Sequence, residues 1–122
     1  MKDQLILVVD DVAFMRRMIR ASLFEVGFTR VDEASDGVEA VEHYRERHPD
    51  LVILDITMKN KHGLDTLGEI MEFDPAAKVI MCTAIDQQQT VMEALKLGAA
   101  DLIVKPFQKH ELMHAVLTVL GN

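Results

Sequence analysis

Cysteine is almost absent from this sequence, since Cys82 is the only one among 122 residues. A single thiol excludes an internal disulfide framework, and we therefore expect the protein to work in a reducing cytoplasm. Long apolar runs are missing too, because a run such as residues 5–9 is far too short to span a membrane. The first four residues lead straight into that run, so we expect no signal peptide.

Positive charge is also scarce: 13 lysine and arginine residues stand against 20 aspartate and glutamate residues, for a net charge of −7. This balance opposes non-specific binding to DNA, RNA or anionic lipid, so neither nucleic acid nor a membrane surface is an expected partner. The sequence shows no repeat, linker or low-complexity segment. Its length suits one core, and we expect residues 1–122 to form one domain with no output domain attached.

Five short apolar runs alternate with five amphipathic segments. The runs predict strands at residues 5–9, 30–34, 51–55, 78–82 and 101–104. The segments predict helices at residues 13–26, 63–72 and 87–97. A further helix is predicted between a cap at Asp36 and a break at Pro49. The last helix is predicted from an apolar face formed by Leu112, Met113, Val116, Leu117 and Leu120. This alternation is typical of an α/β protein. We predict a flavodoxin-like (βα)5 fold, a doubly wound parallel five-stranded sheet in the order 2-1-3-4-5 with helices on both faces.

The first two helices carry more detailed signals. Gly27 is predicted to end the first helix, and Asp36 to cap the second, with Glu39 completing a capping-box pattern. Arginines 16, 17 and 20 lie mostly off the apolar stripe of the first helix. We expect that stripe to face the core, and its members are Phe14, Met18, Ser22 and Val26.

The run at residues 51–55 is predicted to be the central strand, because four apolar residues lead without alternation into Asp55. Asp10 and Asp11 follow the first strand in the same way. In the predicted order these two strands are neighbours, and doubly wound folds bind ligands at the carboxyl ends of their strands. The three carboxylates should therefore converge, and like charges so close require compensation. A hard divalent cation with oxygen ligands, such as Mg2+, would supply it.

Two further polar residues stand at the same edge of the predicted sheet. Thr83 follows the fourth predicted strand and Lys105 follows the fifth. A hydroxyl, an ammonium and a metal around one carboxylate form a site for an anion. The pattern therefore predicts an anion site around Asp55.

At these positions the sequence resembles the response-regulator receiver domains. The resemblance extends over essentially the whole chain, and it is specific because the matching residues fall at the ends of separate strands. The residues that carry it are Asp10-Asp11, Asp55, Thr83-Ala84 and Lys105-Pro106.

The resemblance implies a role for each acidic residue. Asp55 would be the phosphoacceptor, taking a phosphoryl group from a sensor histidine kinase in a Mg2+-dependent reaction. Asp11 would bind the metal directly, together with Asp55 and the backbone carbonyl of Thr57, while Asp10 would act mainly through water. The protein would take part only in its own phosphotransfer and autodephosphorylation, and would not otherwise be an enzyme.

The same resemblance implies which residues would respond to phosphorylation of Asp55 and so form a conformational switch. Lys105 would pair with the phosphoryl oxygens across a cis bond to Pro106, and Thr83 would hydrogen-bond to one of them. Because phosphorylation adds charge and acceptor oxygens, it would move the loops that carry Thr83 and Lys105. Thr83, Ala84 and Leu102 would belong to the switch and partner surface.

Longer segments resemble chemotaxis receivers of the CheY type, which implies a monomeric protein moving between a chemotaxis kinase, a flagellar motor switch protein and a phosphatase. A phosphorelay intermediate that passes its phosphoryl group to a histidine phosphotransfer protein is the main alternative. The segments are residues 11–16, 55–58 and 82–84.

Two readings from other classes fit less well. A haloacid dehalogenase-type phosphohydrolase needs a second acid two residues after its nucleophile, and here Asp55 is followed by Ile56 and Thr57. A flavodoxin-like electron carrier needs a phosphate loop rich in serine and threonine after the first strand, where Asp10 and Asp11 would repel phosphate.

Four positions depart from the usual receiver pattern. Leu102 stands where many members carry an aromatic switch residue, and Lys59 where a proline is common. The pair Lys61-His62 replaces a common acidic residue. Ile85 is apolar where some fast-decaying members carry a polar group.

Overall fold

The computed structural model describes residues 2–58, 61–84 and 88–121. Strands and helices alternate strictly, as predicted. The strands are β1 (Lys2–Val9), β2 (Phe28–Ala34), β3 (Leu51–Asp55), β4 (Val79–Ala84) and β5 (Asp101–Lys105). The helices are α1 (Ala13–Glu25), α2 (Gly37–Arg47), α3 (Gly63–Phe73), α4 (Gln88–Leu97) and α5 (Lys109–Leu120). No helix in the described ranges has the length and apolarity needed to cross a membrane.

The five strands form one parallel sheet in the order β2-β1-β3-β4-β5, which confirms the predicted fold. Because successive strand residues point to opposite faces, the sheet builds two cores. Leu7, Val52 and Leu54 pack with α2, α3 and α4, while Ile6 and Ile53 face α1 and α5. The central strand β3 is buried along its whole length, so its carboxyl end holds a fixed position in the sheet.

The predicted helix ends are largely confirmed. Gly27 follows α1 with a φ of 101°, a conformation that glycine adopts without steric cost. Asp36 caps α2 by accepting the backbone N–H of Glu39 at 2.8 Å. The carboxylate of Glu39 accepts the hydroxyl of Ser35 at 3.0 Å, so the reciprocal contact falls one residue before the cap.

The buried stripe of α1 differs from the prediction. Phe14 is 68% exposed and Met18 is 49% exposed, whereas Ile19 and Leu23 are buried against the sheet. Apolar residues occupy two neighbouring stripes of this helix, and hydrophobic spacing alone does not decide between them. The prediction that Phe14 and Met18 face the core is therefore wrong.

Candidate functional site

The carboxyl ends of β1 and β3 bring three carboxylates together. Oxygen atoms of Asp10, Asp11 and Asp55 all lie within 4.8 Å of one another. Asp10 and Asp55 are buried, and Asp11 is partly exposed. The convergence predicted from the strand order is thus present in the structure.

Lys105 extends from the end of β5 across this cluster. Its ammonium nitrogen lies 3.2 Å from Oδ1 of Asp55 and 3.4 Å from Oδ2 of Asp10. The peptide bond between Lys105 and Pro106 is cis, as predicted. The ammonium of Lys105 therefore contacts both the carboxylate of Asp10, which follows β1, and the carboxylate of Asp55, which ends β3.

The positive charge of Lys105 compensates only part of the negative charge of the three carboxylates. Burial raises the pKa of Asp55, the nearby Asp10 raises it further, and the attraction of Lys105 only partly offsets both. Burial alone would lower the pKa of Lys105, but Asp55 and Asp10 raise it above its ordinary value. Lys105 is therefore held in its charged form, and the site retains an excess of negative charge.

Backbone contacts fix the position of Asp55. The backbone N–H of Ile56 donates to the carbonyl of Cys82 at 2.9 Å, and Gly63 donates to the carbonyl of Ile56 at 2.8 Å. A Cβ atom at Gly63 would lie 2.5 Å from the carbonyl oxygen of Asp55, so only glycine permits this approach of α3. The backbone N–H of Thr57 lies 3.4 Å from Oδ1 of Asp55.

The predicted switch residues lie on the neighbouring strands β4 and β5, with Thr83 and Ala84 at the carboxyl end of β4 and Leu102 near the start of β5. Thr83 is buried and its hydroxyl donates to the carbonyl of Ala84 at 3.3 Å. Ala84 is exposed, while Leu102 is partly buried and packs against the core formed with α2, α3 and α4. Of the three, Thr83 and Leu102 thus face the interior and Ala84 faces solvent.

The acidic cluster fits a hard divalent cation. Mg2+ is bound in proteins through one or two carboxylates together with water and phosphate oxygens. Asp10, Asp11 and Asp55 offer oxygen ligands within one short distance range, and Asp11 keeps an exposed side through which water has access.

Sequence reasoning assigns Arg16 no role at the site and places it mostly off the apolar stripe of α1. In the structure its guanidinium donates to the backbone carbonyl of Asp10 at 2.7 Å and to Glu33 at 3.0 Å. Its side chain is only 16% exposed. Long-range contacts of this kind leave no periodic signal in a sequence.

The positions that depart from the receiver pattern have varied surroundings. Lys61 pairs with Glu69 on α3, and the imidazole of His62 accepts the backbone N–H of Leu64 at 3.2 Å. These contacts give both side chains a local role at the start of α3. Lys59 and Ile85 lie outside the described residues.

Comparisons with known proteins agree with this geometry. A model of the response regulator receiver domain matches residues 6–117. The chain is 50% identical over 117 residues to protein CcdB of Bacillus subtilis, covering 96% of this chain and 98% of that protein. It is 49% identical over 111 residues to the chemotaxis protein CheY of Thermotoga maritima, covering 91% and 92%.

A solved structure extends the comparison to three dimensions. The CheX–CheY–BeF3–Mg2+ complex of Borrelia burgdorferi contains a chain that is 38% identical to this one, with a TM-score of 0.90. The match covers 95% of this chain and 88% of that chain. The fold is therefore that of a known family.

Proposed function

The chain belongs to the response regulator receiver domain family, and on that premise we propose that it is a signalling regulator phosphorylated on Asp55 by a sensor histidine kinase. The observation that carries the proposal is the meeting of Asp55, Asp10 and Lys105 at the carboxyl edge of the sheet. We further propose that residues 1–122 act as one receiver domain.

Asp55 is the proposed nucleophile. One of its carboxylate oxygens attacks the phosphorus of a phosphohistidine, a P–O bond forms, the P–N bond breaks, and the imidazole nitrogen keeps the bonding electron pair. Lys105 already contacts Asp55 at 3.2 Å and is well placed to pair with the phosphoryl oxygens. Thr83 would donate its hydroxyl to one of these oxygens.

We assign Asp11, Asp55 and the backbone carbonyl of Thr57 as direct ligands of Mg2+, with Asp10 acting mainly through water. When bound, the metal would compensate the excess negative charge of the site and of the incoming phosphoryl oxygens. The Borrelia burgdorferi relative, solved as a complex with BeF3 and Mg2+, supports this assignment.

Labelling with a small phosphodonor tests the proposal. In the presence of Mg2+, radiolabelled acetyl phosphate should label the wild-type protein and leave Asp55→Asn unlabelled, because an amide lacks a nucleophilic carboxylate oxygen. Asp65→Asn, which removes an exposed carboxylate of α3, is the matched control and should be labelled like wild type. Equal labelling of Asp55→Asn and wild type would disprove the central assignment.

We propose that the phosphorylated form acts in chemotaxis, by binding a flagellar motor switch protein and a CheX-type phosphatase. Identity of about half to the Thermotoga maritima CheY, and the Borrelia burgdorferi complex with CheX, support this proposal. The similar identity to CcdB keeps a second function open, in which the protein serves another soluble partner or a phosphorelay.

A pull-down separates these functions. Wild-type protein treated with beryllium fluoride and Mg2+ should retain a flagellar motor switch protein more strongly than untreated protein, and Asp55→Asn should show no such gain. A histidine phosphotransfer domain is offered in parallel. Preferential retention of that domain would replace the chemotaxis proposal with a phosphorelay.

A further inference from the structure

We propose that Arg16 is a positioning residue for the metal site, because its guanidinium fixes the peptide that joins Asp10 to Asp11. The inference rests on the proposed function, since it concerns how the chain holds the carboxylates that would bind Mg2+. It adds a residue of α1 to a site otherwise built from the ends of strands.

The contact lies between a charged side chain and the backbone of the site. Nη1 of Arg16 donates to the carbonyl oxygen of Asp10 at 2.7 Å. That carbonyl and the N–H of Asp11 belong to the same planar peptide, so its orientation sets the direction in which the Asp11 side chain leaves the backbone. Losing the contact would remove the restraint on the carbonyl end of this peptide.

The other polar groups of Asp10 also have partners. Its N–H donates to the carbonyl of Ala34 at 3.2 Å, and its Oδ1 accepts the N–H of Val12 at 2.9 Å. Its Oδ2 faces the ammonium of Lys105 at 3.4 Å. With Arg16 on the carbonyl, all four polar groups of Asp10 are held, and the Val12 and Arg16 contacts together restrain the peptide that joins Asp10 to Asp11.

Glu33, near the end of β2, holds Arg16 in place. Its Oε1 accepts Nε of Arg16 at 3.0 Å, and its Oε2 accepts Nη1 of Arg20 at 3.1 Å. Among the contacts of the described residues, Arg20 reaches Glu33 but not the Asp10 carbonyl. The chain thus offers two arginines that share Glu33 as a partner, of which Arg16 contacts the Asp10 carbonyl and Arg20, the more exposed, lies over the ring of Phe24.

Losing the positive charge of Arg16 and losing its positioning contact should have opposite effects on the affinity for Mg2+. Removing a nearby cation should strengthen the binding of Mg2+ by the Coulomb effect alone, and this applies to either arginine. Loss of positioning should weaken it, and residues that orient metal ligands typically contribute about 10- to 100-fold in affinity. Weaker binding after removal of Arg16 therefore distinguishes positioning from charge.

Isothermal titration of the unphosphorylated full chain with MgCl2 tests the inference. We expect Arg16→Met to bind Mg2+ about tenfold more weakly than wild type, and Arg20→Met to bind it as tightly or slightly more tightly. Urea unfolding without Mg2+ provides the second readout and establishes that both variants are folded. Arg16→Met should be the more destabilised of the two, because it loses the contact to the Asp10 carbonyl as well as the ion pair to Glu33. If Arg16→Met fails to fold, Arg16→Lys, which keeps the charge but not the planar fork, is expected to show weakened binding as well.

The outcomes separate this inference from the proposed function. If wild type binds Mg2+ and both arginine variants bind it as tightly as wild type does, the positioning role of Arg16 is overturned while the proposed metal site stands. If wild type does not bind Mg2+, the proposed function fails and the inference fails with it. Weaker binding by Arg16→Met alone supports both.

Discussion

The strands β3 and β5 both end at the site, but they are held in very different ways. β3 pairs with a strand on each side and all five of its residues are buried. β5 pairs with β4 at one edge of the sheet, Ile103 is its buried residue, and Val104 is 44% exposed. Asp55 stands at the end of the first strand and Lys105 at the end of the second.

The difference indicates how a charge added to Asp55 would be transmitted. A carboxylate at the end of a central, fully buried strand has little freedom to move, because interiors are close-packed and respond in discrete steps. Lys105 and Leu102 lie on the less buried strand. We therefore expect phosphorylation to change the β5 side of the site and to leave β3 in place.

The largest effect that would test this comparison is on stability. Leu54→Ala on β3 should lower the free energy of unfolding by about 3 kcal/mol, because it leaves a cavity in a fully buried site. Val104→Ala on β5 should change it by less than about 0.5 kcal/mol, because Val104 is 44% exposed. Urea unfolding followed by circular dichroism measures both, and similar losses would contradict the contrast between the strands.

A smaller effect is expected from pH. The pKa of Asp55 is raised in the fold from its ordinary value of 3.8, so the folded state binds this proton more tightly than the unfolded state does. Ionised Asp55 therefore costs stability near neutral pH, and the cost falls as the pH drops through the raised pKa toward 3.8. Asp55→Asn should be more stable than wild type at about pH 7, and the gap should narrow as the pH approaches about 4.

The control for this experiment lies on the other strand. Asp101→Asn replaces a carboxylate of β5 that accepts the backbone N–H of Leu102 at 2.8 Å, a contact that an asparagine oxygen retains. Urea unfolding of wild type and of both variants between about pH 4 and about pH 7 measures the stability gap of each variant relative to wild type. A stability gap for Asp55→Asn that stays constant with pH would contradict the raised pKa.

Much of the fold and of the candidate site could be predicted because the signals are local. Apolar runs without alternation marked β3, and polar residues directly after such runs marked Asp10, Asp11 and Asp55. In a parallel sheet the carboxyl ends of all strands meet at one edge, so order along the chain was enough to place these residues together. The cis bond before Pro106 followed from the family resemblance.

The side of α1 that faces the sheet could not be predicted in the same way. Phe14 and Met18 form as regular a stripe as Ile19 does with Leu23, and helical spacing fits both. The packing of α1 against the sheet and α5 decides which stripe is buried. Such packing between separate elements produces no pattern in the local sequence.

The alternation of strands and helices, the burial of β3 and the carboxylates at the strand ends follow from local sequence, since each depends on neighbours along the chain. The way in which Asp10 is held depends on the folded structure: Lys105 on β5 contacts its carboxylate, and Arg16 on α1 contacts its carbonyl. Those contacts depend on the packing of whole elements, because a side chain finds a distant partner only once the backbone has set the distance between them.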